Sequence, residues 1–268
     1  MPFSELNQRI QNKYRRLAGA VIDAPPHDPS DPWVHEKPAA YAGQMDRFFW
    51  ENTGRAIDKW VHYLPIYERH FAPFRNSAVK VLEIGVQNGG SARMWRDWFG
   101  PEAVIFGIDI NPACAAANGE VAQIRTGSQD DSAFLEQVVS EMGGVDIVID
   151  DGSHVMAHIH SSFRTLYPRL SDGGVYLVED LHCAYWKDFG GGYRAPSSFI
   201  ETAKGLVDDM HAWYHGNGQL EAASANALGG VHFYDSVIVI DKKTMTPPRR
   251  ALTGTEAVTD TFATGGTA

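Results

Sequence analysis

Cysteine is scarce in this chain: among 268 residues only Cys114 and Cys183 carry thiols. Two thiols cannot build a disulfide framework or a thiolate zinc site, so a reducing cytoplasm is the expected setting and both are read as buried. Positive charge is also in deficit. Lysine and arginine total 23 against 33 acids, a formal net charge of −10, which disfavours nucleic acid and anionic membranes as general partners. No apolar run approaches membrane-spanning length, and the opening residues Met1 to Asn7 show no basic segment leading into an apolar core. A soluble, intracellular protein is expected. Also missing are the Gly-x-x-x-x-Gly-Lys-Ser/Thr phosphate loop, a His-Glu-x-x-His pair and any internal repeat.

What is present is ordinary in amount and informative in arrangement. Hydrophobic residues make up 44% of the chain, enough for a sizeable core. Leu6, Ile10, Tyr14 and Leu17 recur at helical spacing within residues 3–20, and five prolines then make an extended connector from Asp23 to Pro38. Aromatic residues crowd positions 41–74 and predict two short helices lying over the main sheet. Short β-rich runs follow at Val79–Ile84, Val104–Ile108, Val121–Ile124, Val145–Ile149 and Val175–Val178, with helical patterns between most of them. Strands that are apolar on both faces and alternate with helices predict an α/β fold with a buried parallel sheet. A helix is expected from Ser197 to His215, and Val231–Tyr234 and Val237–Ile240 flank Asp235-Ser236 as an antiparallel hairpin. The expected organisation is an N-terminal helical extension over 1–75, a sheet domain over 76–245 with an insertion at 183–228, and a fraying tail over 246–268.

The most telling stretch is Val148-Ile149-Asp150-Asp151-Gly152-Ser153-His154, echoed by Leu177-Val178-Glu179-Asp180. Each is a buried β run ending in paired acids. Carboxylates at the carboxyl ends of neighbouring parallel strands converge on the crevice where open α/β sheets bind ligands. Acids gathered there repel one another unless a cation joins them, and oxygen ligands suit a hard divalent ion. Earlier in the chain, Val81-Leu82-Glu83-Ile84-Gly85 leads through Asn88, Gly89, Gly90 and Ser91 into a helix, and Asp109 ends the next strand 24 residues after Gly85. Small residues let backbone approach a ligand, and the strand-end acid is placed for the two hydroxyls of a ribose. The full Gly-x-Gly-x-x-Gly fingerprint is absent, as is a suitably placed Tyr-x-x-x-Lys pair, which argues against a nicotinamide dehydrogenase.

The Glu-x-Gly-x-x-x-Gly-Gly turn followed by Asp109 resembles the class I S-adenosylmethionine methyltransferases. With Asp58-Lys59-Trp60-Val61-His62-Tyr63, Tyr67-Glu68-Arg69-His70-Phe71, the Asp150–His154 run, Val178-Glu179-Asp180-Leu181-His182 and Tyr185-Trp186, the chain from about Asp58 to Lys242 resembles the metal-dependent sugar O-methyltransferases of macrolide and other antibiotic tailoring, whose relatives include the cephalosporin hydroxylase-like proteins. The resemblance implies a Rossmann-like methyltransferase sheet, Mg²⁺ on Asp151, Glu179 and Asp180, and His154 as general base with Asp151 also at the catalytic centre. It implies S-adenosylmethionine beside Glu83, Gly85, Asn88, Gly89, Ser91, Asp109, Asp150 and the Ser128-Gln129-Asp130 loop. Tyr63 or Trp60 is read as a wall of the donor site. One departure is that Gly127 is followed by Ser128 where the family loop usually has aspartate.

The implied chemistry suits these residue types. A divalent ion lowers the pKa of an acceptor hydroxyl and fixes its direction. An imidazole removes the proton near neutral pH, for ~10²–10⁴-fold, and alignment of the reactants contributes more. The expected acceptor is a small molecule, a nucleotide sugar or glycosylated natural product; a non-sugar vicinal diol such as a catechol, or cephalosporin-type tailoring, is the alternative. His158 and His160 are read as solvent-facing or packing residues, and His182 as an orienting partner of a ligand carboxylate or a surface residue. Trp213 and Tyr214 are read as pocket or anchor. The apolar stripe over 3–20 predicts a homo-oligomer in which that segment crosses to a neighbour.

Overall fold

The computed structural model describes residues 36–217, 221–224 and 226–254. The expected helix over 3–20, most of the proline connector and the end of the tail lie outside the described residues. The chain divides into two units, Met1–Ala42 and Gly43–Ala268; of the first, residues 36–42 are described and hold no helix or strand.

The second unit is built on seven strands. They are β1 (Lys80–Ile84), β2 (Val104–Asp109), β3 (Gln123–Thr126), β4 (Val145–Asp150), β5 (Leu170–Val178), β6 (Leu228–Phe233) and β7 (Ile238–Lys242). Their order is β3-β2-β1-β4-β5-β7-β6. The first five run parallel, and β7 joins β5 antiparallel with β6 on its outer edge. The β6–β7 turn is the two-residue connection expected at Asp235-Ser236, closed by Tyr234 N–H donating to Val237 O at 2.8 Å.

Period-two alternation divides the central strands between two cores. Val81, Ile147, Ile149, Val175, Leu177 and Val239 face one of them, while Leu82, Val148, Tyr176, Val178, Ile238 and Ile240 face the other. The first core is covered by α1 (Gln44–Trp50), α2 (Leu64–Phe71) and α3 (Gly90–Phe99), with Met45, Tyr67, Phe71, Trp95 and Trp98 buried in it. The second lies under α4 (Ser132–Met142), α5 (Met156–Leu166) and α6 (Phe199–Met210). Helix limits follow local chemistry. Asp131 caps α4 by accepting from Phe134 N–H at 3.1 Å, and Gly143 ends it in the left-handed region. Both expected cover helices are present, and they share the core of the sheet unit.

Several boundaries differ from expectation: the fifth strand begins at Leu170 rather than Val175 and the sixth at Leu228 rather than Val231. The third strand begins at Gln123 rather than Val121, because Asn118 turns back to accept from Ile124 N–H at 2.8 Å and pairing with β2 continues to Thr126. The helix expected over 197–215 stops at Met210, and a separate short turn of helix, α7 (Ala212–His215), follows. His154 does not begin a helix; it lies in the loop before α5 with φ 57°.

The topology decides where a ligand goes. Strand β1 is followed outward by β2 on one side and by β4 on the other. Connections leave the sheet in opposite directions there, which opens a crevice above the carboxyl ends of β1 and β4.

Candidate active site

At that switch point the backbone is knitted across three strands. Gly85 N–H donates to Ile108 O at 2.8 Å and Asp151 N–H donates to Ile84 O at 2.9 Å. Gly85 has φ +91°, and a Cβ there would overlap the Asp151 carbonyl oxygen. Glycine is needed for conformation and for space together. This close approach sets the Asp151 carboxylate at the crevice mouth. One strand over, Glu179 N–H donates to Asp150 O at 2.9 Å, which places Glu179 and Asp180 beside it.

Asp151, His154 and Asp180 each bring a ligand-type atom within 4.8 Å of the others. His154 Nε2 stands 3.6 Å from Asp180 Oδ2 and 4.0 Å from Asp151 Oδ1. His154 and Asp180 both occupy the left-handed region, at φ 57° and 53°. Non-glycine residues rarely adopt it, and such strain concentrates at functional sites. The buried Tyr63 hydroxyl donates to Asp180 Oδ1 at 2.7 Å, and Asp180 N–H donates back to it at 3.3 Å. Tyr63 therefore sits at the acid cluster.

Lys59, quoted above only as part of a motif, is the residue that sequence reasoning missed. Its ammonium bonds Asp151 Oδ2 and Glu179 Oε2, the latter at 2.8 Å. The lysine side chain is 3% exposed and that of Glu179 1%. Glu179 Oε1 and the Tyr67 hydroxyl are both buried and interact with each other without full hydrogen-bond geometry. The sequence offered no local signal for Lys59, since its neighbours Asp58, Trp60, Val61 and His62 are exposed and only the fold turns the lysine inward.

Electrostatics here are dominated by excess negative charge. Burial and repulsion from Asp151 push the Glu179 carboxyl well above its ordinary range, although Lys59 opposes this. Burial likewise raises Asp151, with Lys59 opposing and Asp180 reinforcing. Burial would lower the Lys59 ammonium, but Asp151, Glu179 and Glu83 overrule it and hold the group firmly protonated. One ammonium does not offset this many acids. The carboxylate oxygens of Asp151 and Asp180, gathered with the His154 imidazole beside them, suit a hard divalent cation.

On the donor side, several expected contact residues are hydrogen-bonded to one another. Glu83 is buried, and its two oxygens accept from Ser91 Oγ and Trp95 Nε1, each at 2.9 Å. It fastens the glycine turn to α3. Asp150 is buried and accepts from Gln129 Nε2 at 3.0 Å, Ser162 Oγ at 2.5 Å and Tyr176 OH at 3.1 Å. Gln129, also buried, accepts from Ser153 N–H at 2.7 Å, so Asp150 acts through it on the loop that carries His154. Asp109 Oδ2 accepts from Val86 N–H at 3.1 Å and Gln87 N–H at 2.9 Å, while Oδ1 takes Asn111 N–H at 2.8 Å. Asp109 thus braces the glycine turn at a half-buried position. Ser128 Oγ donates to Asp130 at 2.6 Å, and Asn88 and Gly89 lie in the turn before α3. Gln87, Asn88, Asn111 and Cys114 line a cavity of about 330 Å³ beside this turn.

Of the remaining histidines, His158 accepts or donates with Ser153 Oγ at 2.9 Å and lies 3.6 Å from Asp130, so it supports the loop rather than facing solvent alone. His160 packs on Phe199. His182 Nδ1 bonds Ser236 Oγ at 2.8 Å and lies 4.0 Å from Asp180. It also stands between the rings of Trp60 and Trp186, at 5.7 and 5.0 Å, forming an aromatic rim beside the acids. Trp213 and Tyr214 are exposed, and both cysteines are buried free thiols. A second potential ligand group, His70, His232 and Asp241, ties α2 to the β6–β7 hairpin.

The sheet order, the glycine turn after β1 and the acid ending β2 define a class I methyltransferase. A methyltransferase domain matches residues 82–181. The chain is 40% identical over 246 residues to 8-demethyl-8-(2-methoxy-alpha-L-rhamnosyl)-tetracenomycin-C 3'-O-methyltransferase of Streptomyces olivaceus, covering 87% of this chain and 59% of that protein. It is 36% identical over 273 residues to 8-demethyl-8-alpha-L-rhamnosyl tetracenomycin-C 2'-O-methyltransferase of the same organism, covering 90% and 72%. The structure of the MycE methyltransferase of the mycinamycin pathway, in complex with Mg, SAH and mycinamycin VI, superposes with TM-score 0.64 at 33% identity over 75% of this chain and 53% of that one. This chain belongs to the family of methyltransferases that the tetracenomycin O-methyltransferases represent. It spans between about half and three quarters of the length of these three relatives.

Proposed function

We propose that this protein transfers a methyl group from S-adenosylmethionine to a hydroxyl of a sugar, as part of a glycosylated natural product or a nucleotide sugar, with Mg²⁺ as its metal. The observation that carries the reading is the meeting of Asp151, Asp180 and His154 within 4.8 Å at the crevice mouth. The adjoining glycine turn after β1 supports a nucleoside-bearing donor, and the relatives, named as methyltransferases of rhamnosyl groups, support a sugar acceptor.

Asp151, Glu179 and Asp180 would hold the ion, and the turn at Gly85–Ser91, with Asp109 and the 128–130 loop, would hold the donor. When bound, Mg²⁺ supplies Lewis acidity toward the acceptor hydroxyl, and S-adenosylmethionine supplies an activated methyl group. His154 Nε2, next to two carboxylates, receives the hydroxyl proton. Tyr63 holds Asp180 in its strained conformation. Gln129 fixes the Ser153 backbone and so the approach of His154. The rim of Trp60, His182 and Trp186 presents ring faces to an acceptor and limits water.

The test is methyl transfer to a panel of sugar-bearing acceptors, with and without chelator. Activity should vanish on chelation and return with Mg²⁺. His154→Ala should keep Mg²⁺ affinity while turnover falls by ~10²–10⁴-fold. Full transfer by protein shown to be metal-free would reject the metal-assisted mechanism.

A homo-oligomer, with the apolar stripe of residues 3–20 covered by a neighbour, is part of the same reading; a monomer in light scattering at micromolar concentration would remove it. Buried free thiols at Cys114 and Cys183 support a reducing, cytoplasmic setting. Among the described residues no helix is long and apolar enough to cross a membrane.

A further inference from the structure

We propose that Lys59 is a permanent inner cation of the metal site, a positioning residue that holds Asp151 and Glu179 while the divalent ion enters on the outer, more exposed side at Asp151 and Asp180. The inference rests on the reading that this site takes Mg²⁺. It concerns a residue outside the set assigned above to metal, donor and proton transfer.

Three observations distinguish an inner cation from one that merely fills the ion's place. The oxygens differ. Lys59 takes Asp151 Oδ2 and Glu179 Oε2, whereas the imidazole of His154 stands toward Asp151 Oδ1 and Asp180 Oδ2. The depths differ as well. Lys59 and Glu179 are 3% and 1% exposed, but Asp151, Asp180 and His154 are 20–23% exposed. A solvated ion arriving from the mouth meets the outer oxygens first, and the lysine lies behind them. Finally, the lysine alone leaves the cluster with excess negative charge. One ammonium does not offset the three carboxylates of Asp151, Glu179 and Asp180, to which Asp58 and Glu83 add further negative charge, so the enclosed site still calls for a second cation with Lys59 in place.

Lys59 is carried by the segment between α1 and α2, which also supplies Tyr63 to Asp180. The cover therefore fixes all three acids of the cluster, two through Lys59 and the third through Tyr63. Without the ammonium, Asp151 and Glu179 would face each other as like charges and turn apart, losing the shape that an octahedral ion requires.

The experiment is calorimetric titration of Mg²⁺ into the full chain, loaded with S-adenosylhomocysteine, for the wild type, Lys59→Met and Lys59→Gln. Simple electrostatics predicts tighter Mg²⁺ binding once a neighbouring positive charge is removed, and so does displacement of the lysine by the ion. The positioning role predicts the opposite: Mg²⁺ affinity falls about 10–100-fold in both variants, as for loss of an outer partner of a metal ligand. Affinity for S-adenosylhomocysteine should persist, which a general loss of structure would not allow. If Lys59→Met fails to fold, Lys59→Gln, a polar but shorter and uncharged replacement, carries the comparison. Equal or tighter Mg²⁺ binding in a folded variant overturns the role of Lys59 alone. Absence of Mg²⁺ binding by the wild type overturns the metal reading beneath it.

Discussion

Replacing Gly85 by alanine should damage stability and metal binding together, and the structure separates the two causes. The first is conformational. Gly85 sits at φ +91°, where an L-residue with a Cβ costs roughly 1–2 kcal/mol. The second is steric, because the new Cβ overlaps the Asp151 carbonyl oxygen. That oxygen belongs to backbone pinned by the 2.9 Å bond from Asp151 N–H to Ile84 O. Relief therefore requires a backbone shift on the order of 1 Å, for about another 1–2 kcal/mol as in overpacked cores. The total of about 2–4 kcal/mol corresponds to a fall in melting temperature of about 4–16 °C for a domain of this size. The same shift displaces the Asp151 carboxylate from Lys59, so Mg²⁺ affinity should fall too. Gly119→Ala is the control. Gly119 has φ +81° but nothing lies within 4 Å of the added Cβ, so conformational strain alone should appear and metal affinity should not change. Thermal unfolding with Mg²⁺ calorimetry on both variants decides the matter. If Gly85→Ala melts no lower than Gly119→Ala and binds Mg²⁺ like the wild type, the close approach of β1 and β4 does not position the acid.

Other perturbations test separate parts of the site. Asp109→Ala removes the acceptor for the backbone N–H groups of Val86, Gln87 and Asn111; S-adenosylhomocysteine affinity should fall by about tenfold or more, given ~1.5–3 kcal/mol for hydrogen bonds to a charged group, and unchanged affinity in a folded variant would remove Asp109 from donor binding. His70 and His160 are both lowered from their ordinary value chiefly by burial, so the fold holds them neutral while the unfolded chain takes up protons from about pH 6.5 downward. Stability should therefore decline as pH falls through that region, and His160→Gln should flatten part of the decline in melting temperature; an identical pH profile for the variant would show that this histidine does not contribute.

Much of the fold was legible in the order of residue types. Apolar runs of strand length alternating with helical patterns specify a parallel sheet, because both faces of each strand must be buried. The two-residue link at Asp235-Ser236 likewise required an antiparallel end. Acids at the ends of β4 and β5 could be read as neighbours, since adjacent parallel strands end at the same edge of the sheet. The sequence by itself thus pointed to the crevice and, through the family resemblance, to Asp151, His154, Glu179 and Asp180 as candidates.

Only the tertiary structure decided which groups are already satisfied. Glu83 and Asp150 look like open ligands in one dimension, but side chains from α3, α5 and β5 consume their oxygens. Local pattern cannot reveal that, because the partners lie 8 to 26 residues away. The roles of Lys59 and Tyr63 were hidden for the same reason, at separations of 92 to 120 residues from the acids they bind. The left-handed backbone of His154 and Asp180 was equally invisible, since neither is a residue that prefers it strongly enough to announce it. Periodicity and strand-end chemistry are local or nearest-neighbour properties and survive in the sequence; charge pairing across the cover and the sheet depends on how the whole chain packs.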